Sequence, residues 1–111
     1  MINKNLFKLS IIVPCYNENN TIDLIIKKIE DSLNVYNYTN YEIIIIDDFS
    51  TDGTRDKLKK FKNYKNTRVF FHDNNLGKGA AIHTAIQHFT GDLLLIQDAD
   101  LEYDPFDYDK L

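Results

Sequence analysis

The sequence predicts an α/β fold with a mostly parallel sheet and flanking helices, and three observations lead there. Short β-rich apolar runs alternate with longer stretches whose apolar residues recur at helical spacing. One of the short runs, Tyr41 to Ile46, is continuous rather than alternating, as in a strand buried on both faces. Polar, acidic and glycine residues then follow each of four such runs directly. Alternation at these lengths implies right-handed βαβ units. In open sheets of that kind, ligands bind beyond the carboxyl ends of the strands.

Leu9-Ser-Ile-Ile-Val13 reads as a first strand stopped by Pro14, which cannot donate to a sheet ladder. Thr21 to about Tyr36 reads as a helix, with Ile22, Ile25, Ile26, Ile29 and Leu33 on one face and Asn20 as its N-cap. Tyr41 to Ile46 is the second strand. A second helix is expected from near Gly53 to about Phe61, with Leu58 and Phe61 turned inward and Ser50 or Asp52 capping it. Arg68 to Phe71 makes a third strand and Ala80 to Phe89 a third helix, broken by Gly91. Leu93 to Ile96 is the fourth strand. Without internal repeats, low-complexity segments or flexible linkers, residues 1–111 read as a single domain.

Composition narrows the function classes. A chain of 111 residues with 43% hydrophobic content has material for one core, which excludes a multidomain enzyme. A net charge of −4 with scattered lysines excludes a nucleic-acid binder that works through a basic face. The single cysteine, Cys15, can form neither an internal disulfide nor a cysteine metal cluster, so a reducing cytosol is the expected compartment. The apolar runs fall far short of the roughly 20 residues of a membrane helix. Lys4 and Lys8 before a short apolar run imitate a signal peptide, but the run is too short and lacks a small-residue cleavage site.

The acids are unevenly placed. Six of the 17 (Asp98, Asp100, Glu102, Asp104, Asp107, Asp109) lie in the last 14 residues, against one lysine, Lys110. A solvated acidic tail is the ordinary meaning of such a run. Interleaved Leu101, Tyr103, Phe106 and Tyr108 argue instead for a cation-binding region, because a disordered tail is poorer in aromatics.

Four segments stand at the strand ends: Pro14-Cys-Tyr-Asn-Glu18, Asp47-Asp-Phe-Ser-Thr-Asp-Gly53, Asp73-Asn-Asn-Leu-Gly-Lys-Gly79 and Asp98-Ala-Asp-Leu-Glu102. In an extended turn, Asp98, Asp100 and Glu102 share one side because side chains alternate with period 2. Three carboxylates there repel one another unless a hard cation such as Mg2+ or Mn2+ intervenes, and that cation would also hold a diphosphate. With 13 aspartates, however, chance supplies an Asp-x-Asp pair, and Asp107-Tyr-Asp109 is a second one.

Asp47-Asp48, directly after an isoleucine run, suits a carboxylate that accepts from the N–H groups of a nucleobase. Tyr16 offers that base a flat surface, and Glu18 a further acceptor. Gly77-Lys-Gly79 ahead of a helix suits either anion binding by backbone N–H groups or a tight turn with close helix–strand packing. It matches neither a P-loop nor a dinucleotide fingerprint. His83 and His88 are spaced poorly for a shared metal, His72 sits at a strand end, and none of the three is assigned a catalytic role. Cys15 reads as a small buried side chain.

Taken together and in order, these segments resemble the family 2 glycosyltransferases of the GT-A fold. The likeness is to the branch with dolichyl-phosphate mannose synthases and bacterial polyprenyl-phosphate glycosyltransferases. It is carried by Ile12-Val-Pro-Cys-Tyr-Asn-Glu18, Ile46-Asp-Asp-Phe-Ser-Thr-Asp-Gly-Thr54, Asn75-Leu-Gly-Lys-Gly-Ala-Ala81, Gly91-Asp92 and Gln97-Asp-Ala-Asp-Leu-Glu-Tyr-Asp-Pro105. The resemblance implies a Rossmann-like GT-A nucleotide-binding half. In it, Pro14, Tyr16 and Glu18 line the nucleoside pocket, with Ile46 and Asp48 at the base. Asp98, Ala99 and Asp100 hold a GDP- or UDP-sugar. Asp98, Asp100 and Glu102 ligate Mg2+ or Mn2+. In this likeness, Ala85 stands where relatives usually have Gly, and Phe89 where they have a small residue.

Such enzymes run to about twice this length, in line with ordinary domain sizes. The chain therefore reads as a truncated, donor-binding half of an inverting enzyme, with a polyprenyl phosphate or an alcohol as acceptor and no catalytic base assigned. A cytoplasmic place, peripheral to the membrane, goes with that reading. The rival from another class is a non-catalytic or partner-dependent nucleotide-binding module. Either version leaves apolar sheet surface uncovered, which favours self-association. A phosphoryl-accepting receiver domain fits in size. It is opposed by Pro14-Cys-Tyr16 where an acidic pair is needed, and by the lack of a fifth strand.

Overall fold

The computed structural model describes residues 6–99. Its elements run β1 (Leu9–Cys15), α1 (Ile22–Val35), β2 (Tyr41–Asp47), α2 (Thr54–Lys59), a 3-10 turn (Lys60–Asn63), β3 (Thr67–Phe71), α3 (Lys78–Ile86) and β4 (Leu93–Ile96). All four strands are parallel and lie in the order β3-β2-β1-β4. The expected strand–helix alternation is therefore present, with boundaries displaced by a few residues.

Those displacements have local causes. The first strand continues through Pro14, paired with Ile46, to Cys15, paired with Asp47. The Ile12 carbonyl accepts from Gln97 N–H, so the even-numbered backbone groups of β1 face β4. The β4 ladder ends at Ile12–Ile96, and no β4 carbonyl waits for the N–H that Pro14 lacks. At α1 the cap position is Thr21 rather than Asn20, and no side chain caps it. The Glu18 carbonyl instead takes the N–H groups of Thr21 and Ile22. The second helix tightens into the 3-10 turn after Lys59, a common way to satisfy terminal carbonyls, while Phe61 stays buried.

The helices cover the sheet unequally. On one face Ile11, Val13, Cys15, Ile43 and Ile45 pack against Ile22, Ile25, Ile26, Ile29 and Leu33 of α1, with Leu58 and Phe61 alongside. On the other, Ile12, Ile44 and Ile46 meet Ala81 and Ala85 of α3, with Phe70, Phe89 and Leu94 half-buried around them. Successive residues of β1 and β2 thus feed opposite cores, which is why the isoleucine run is unbroken. Each fully buried isoleucine contributes about 1.5–3 kcal/mol relative to leaving it exposed. Ala85 and Phe89, the departures noted above, both belong to the thinner core: a small residue lets α3 approach, and a large one fills beside it.

A polar cluster fixes the opposite end of the sheet from the strand-end loops. Glu42, buried on β2, accepts from Ser10 Oγ at 2.6 Å, Thr90 N at 2.6 Å and Arg68 Nη2 at 2.8 Å. Gly91 N donates to Ser10 Oγ at 2.9 Å. One carboxylate therefore joins β1, β2, β3 and the turn into β4. Burial alone would raise its pKa, but the donors from Ser10, Thr90 and Arg68 outweigh burial and hold it down at about 2.

Candidate functional site

From β1 to β3 the chain steps outward in one direction; β4 then returns to the far side of β1. Strand order reverses between β1 and β4, and a crevice opens beyond their carboxyl ends, where open α/β sheets bind ligands. A cleft of about 140 Å³ lies there, lined by Pro14, Cys15, Tyr16, Glu18, Asp48, Lys78, Ala81, Asp98 and Ala99.

The loops after β1 and β2 are sewn together. Asn17 N donates to Ser50 Oγ at 2.9 Å, Thr51 N to Asn17 Oδ1 at 2.7 Å, and Asn19 N to Asp52 Oδ2 at 3.2 Å. Asn17 adopts a left-handed backbone conformation (φ 53°), which asparagine tolerates, and this turns the chain between Tyr16 and Glu18. The Tyr16 ring is left exposed at the mouth while Cys15 behind it is buried. Burial, followed by the charges of Asp47, Glu18 and Asp52, pushes the Cys15 thiol far up, so it stays protonated and inert.

The two adjacent aspartates divide the work. Asp47 is fully buried, accepts from Ser50 N (3.1 Å) and Ser50 Oγ (2.5 Å), and lies 3.5 Å from Arg55 Nη1. It builds its own turn. Ser50 therefore belongs to that turn, and Asp52 is the residue that receives the Thr54 N–H at the start of α2, at 3.1 Å.

Asp48 reaches the other way. Its Oδ1 accepts from Leu76 N (2.8 Å) and lies 2.9 Å from His72 Nδ1, while Oδ2 accepts from Gly77 N (2.8 Å). His72 Nε2 lies 2.8 Å from Thr84 Oγ1 on α3. Burial raises the Asp48 pKa, but the bonds from His72, Leu76 and Gly77 outweigh it and hold the carboxyl below its ordinary range. In the sequence, His72 stands at a strand end with no assigned task. The signal it offered was an imidazole in register beside a strand-end aspartate.

Gly77 and Lys78 bring the third loop into the cleft. Gly77 has φ 98° and ψ 164°, a region open essentially to glycine alone. Lys78 begins α3 and places its Nζ 2.6 Å from Asp98 Oδ1. From the opposite wall, Thr21 Oγ1 donates to the Ala99 carbonyl at 2.7 Å. The β4 end is thus held from both sides.

Six expected site residues (Pro14, Tyr16, Glu18, Asp48, Asp98 and Ala99) come together at the cleft. Ile46 does not join them. Its side chain is 0% exposed within the second core, so any contact with a ligand falls to its backbone. Asp100 and Glu102 lie outside the described residues, as do Tyr103, Phe106 and Tyr108. Among the described residues, no group of three His, Cys, Asp or Glu is placed to share a metal ion. Lys78 is the residue that sequence reading missed as a side chain, having weighed only the backbone of its loop.

The matching family model is glycosyl transferase family 2, over residues 10–111. The chain belongs to this family. It is 30% identical over 98 residues to a dolichol-phosphate mannosyltransferase of Pyrococcus furiosus, covering 88% of this chain and 27% of that relative. Among solved structures it is similar to a mannosyltransferase from Pyrobaculum calidifontis in complex with GDP-Man and Mn2+. The TM-score is 0.78 with 27% identity, over 91% of this chain and 30% of that one. It is also similar to Staphylococcus aureus TarS 1–349 in complex with UDP-GlcNAc (TM-score 0.70, 30% identity, 84% of this chain and 26% of that one). The chain spans between 26% and 30% of the length of these proteins, which are thus more than three times as long, not the twofold expected from the resemblance. Both the family and the α/β GT-A fold read from the strand-end motifs are thereby confirmed. Among the described residues no helix is long and apolar enough to cross a membrane.

Proposed function

We propose that this chain holds a nucleoside-diphosphate sugar, GDP- or UDP-linked, as the donor-binding half of an inverting glycosyltransferase. The observation that carries the reading is the cleft at the β1/β4 switch point, where Tyr16, Glu18, Asp48 and Asp98 converge from three strand ends. Relatives solved with GDP-Man and with UDP-GlcNAc support it.

Each residue has a task in this reading. The exposed Tyr16 ring offers a face to the base. Asp48 Oδ2, occupied by one backbone N–H, keeps acceptor capacity for a base N–H, and Glu18 adds another acceptor. A cleft of about 140 Å³ is below the 300–1,000 Å³ typical of ligand sites and suits one flat ring, leaving the diphosphate toward Lys78 and Asp98.

The Asp98 carboxylate at the β4 end is a hard oxygen ligand of the kind divalent cations take, and it already draws positive charge in the form of Lys78 Nζ. Asp98, with Asp100 and Glu102, would hold Mg2+ or Mn2+. When bound, such an ion supplies Lewis-acid neutralisation of the charge on the leaving nucleoside diphosphate. The acceptor oxygen then attacks the anomeric carbon from the opposite face and inverts it. A polyprenyl phosphate oxygen is already ionised and needs no general base, whereas an alcohol acceptor would need one.

Thermal melting with UDP, GDP, CDP and ADP, each with and without Mn2+, tests the reading. One nucleotide at about 100 times its dissociation constant should stabilise the chain by about 2.7 kcal/mol, a rise of several degrees. The rise should need Mn2+ and vanish in Asp98→Asn. A folded sample that responds to none of the four would sink it.

A further inference from the structure

We propose that Lys78 is a diphosphate-binding residue parked on Asp98 when the cleft is empty, and that donor binding moves its ammonium from the carboxylate to the phosphate oxygens. This rests on the donor-binding reading above and adds a residue to it. Three observations converge. The Lys78 side chain is more than half exposed, yet its Nζ is drawn to 2.6 Å from an Asp98 carboxylate that is only 16% exposed. An ammonium so placed neutralises a carboxylate that would otherwise sit largely desolvated at the cleft wall. The backbone just before Lys78 is fixed, because Gly77 N is bound to Asp48 Oδ2 and Gly77 holds a conformation that other residues resist. The stem of the lysine is thus anchored through Asp48, while its ammonium sits at the end of four methylenes. Finally, Lys78 and Asp98 line one cleft with Tyr16, so a ligand whose base stacks on Tyr16 occupies the same small cleft as this pair.

A divalent cation and the ammonium cannot share the same Asp98 oxygen without repulsion. Lys78 therefore competes with the cation for Asp98 in the empty cleft and cooperates with it once a diphosphate supplies new oxygens. This predicts opposite signs for two measurements on one variant. Using the full chain, the affinity of Lys78→Met for Mn2+ alone, read by the electron paramagnetic resonance signal of the free ion, should rise severalfold. Its affinity for the nucleoside diphosphate that stabilises the wild type, measured by calorimetry in Mn2+, should fall about tenfold, as expected for loss of one charge-assisted contact. Affinity for the matching nucleoside without phosphates should not change, and Lys78→Arg should recover most of the diphosphate affinity. If Lys78→Met binds Mn2+ and diphosphate as the wild type does, the parking role is wrong while the donor-binding reading stands. If the wild type itself binds no nucleotide, both fall.

Discussion

Thr21 and Ala99 are 78 residues apart in sequence and are joined by one hydrogen bond, from Thr21 Oγ1 to the Ala99 carbonyl at 2.7 Å. The bond spans the switch point: it ties the start of α1 to the loop that carries Asp98. The same hydroxyl lies 3.0 Å from Glu18 Oε2, so it faces two acceptors outside the helix and makes no side-chain cap for α1. Thr21→Val keeps the shape and removes the donor, leaving a buried carbonyl unmet. Stability should fall by about 1–2 kcal/mol in urea denaturation. The nucleotide-induced rise in melting temperature should shrink as well, because the Asp98 loop loses its anchor.

Asp48→Asn tests the second anchor. The amide has one acceptor oxygen where the carboxylate takes N–H groups on both, from Leu76 and Gly77, with His72 beside them. A loss of about 2–3 kcal/mol is expected, since bonds to a charged acceptor are stronger and one donor is stranded. The folded carboxyl has a pKa below its ordinary 3.8. Its stabilising contribution is therefore complete above that value and fades as pH falls below it. Wild type and Asp48→Asn should accordingly converge in stability in acid, a comparison that chemical denaturation at several pH values makes directly.

Gly77 and Gly79 differ only in backbone. An added Cβ meets nothing within 4 Å at either position, so space does not distinguish them. Gly77 has φ 98°, whereas Gly79 lies inside α3. Gly77→Ala should cost about 1–3 kcal/mol of strain and weaken nucleotide binding by turning Lys78. Gly79→Ala should stabilise by about 0.4–1 kcal/mol through helix propensity and a less flexible unfolded chain. Equal effects from the two would refute the assignment of Gly77 to a backbone role.

The contrast between these positions shows what the sequence could and could not carry. The isoleucine runs and the helical spacing of Ile22, Ile25, Ile26, Ile29 and Leu33 fixed both cores, because burial pattern is a one-dimensional record of which face is dry. The strand-end location of Tyr16, Glu18, Asp48 and Asp98 was legible for the same reason, through the rule that parallel strands deliver their ends to one edge. The division between Asp47 and Asp48 was not, since adjacent identical residues differ only in which way the turn points them. Nor was the Lys78–Asp98 pair, which depends on the third crossover bringing two loops 20 residues apart against each other. Ile46 shows the converse: within a matching motif, its side chain lies in the core and not at the cleft.

Gly91 was legible as a helix breaker, but the structure gives it a steric task. A Cβ there would sit 2.3 Å from Ser10 Oγ and 2.8 Å from the Lys8 carbonyl oxygen. The hydroxyl can rotate away and the backbone oxygen cannot, so relief would separate the β4 turn from β1. Gly91→Ala should destabilise by about 2–3 kcal/mol, in the range of overpacked sites. A loss within about 0.5 kcal/mol in urea denaturation, the ordinary range for a surface change, would mean that the Lys8 carbonyl and the Ser10 backbone N, 2.9 Å from the added carbon, can give way.

Glu42 lies at the centre of the same region and makes the acid stability of the fold predictable. Its folded pKa is about 2 against an ordinary 4.5. The sign follows from linkage: the unfolded chain takes up the proton first, so the contribution is fully present above about 4.5 and is lost as pH falls toward 2. Glu42→Gln replaces an acceptor for Ser10, Thr90 and Arg68 by an amide that serves fewer of them and leaves Arg68 facing no charge. At pH 7 it should cost about 2–4 kcal/mol, as for breaking a buried charged pair. The gap to wild type should narrow from pH 4.5 downward and close near pH 2, because protonation of the native carboxyl does what the substitution did. A gap that stays constant from pH 7 to pH 3 would mean that packing around position 42, rather than its charge, carries the effect.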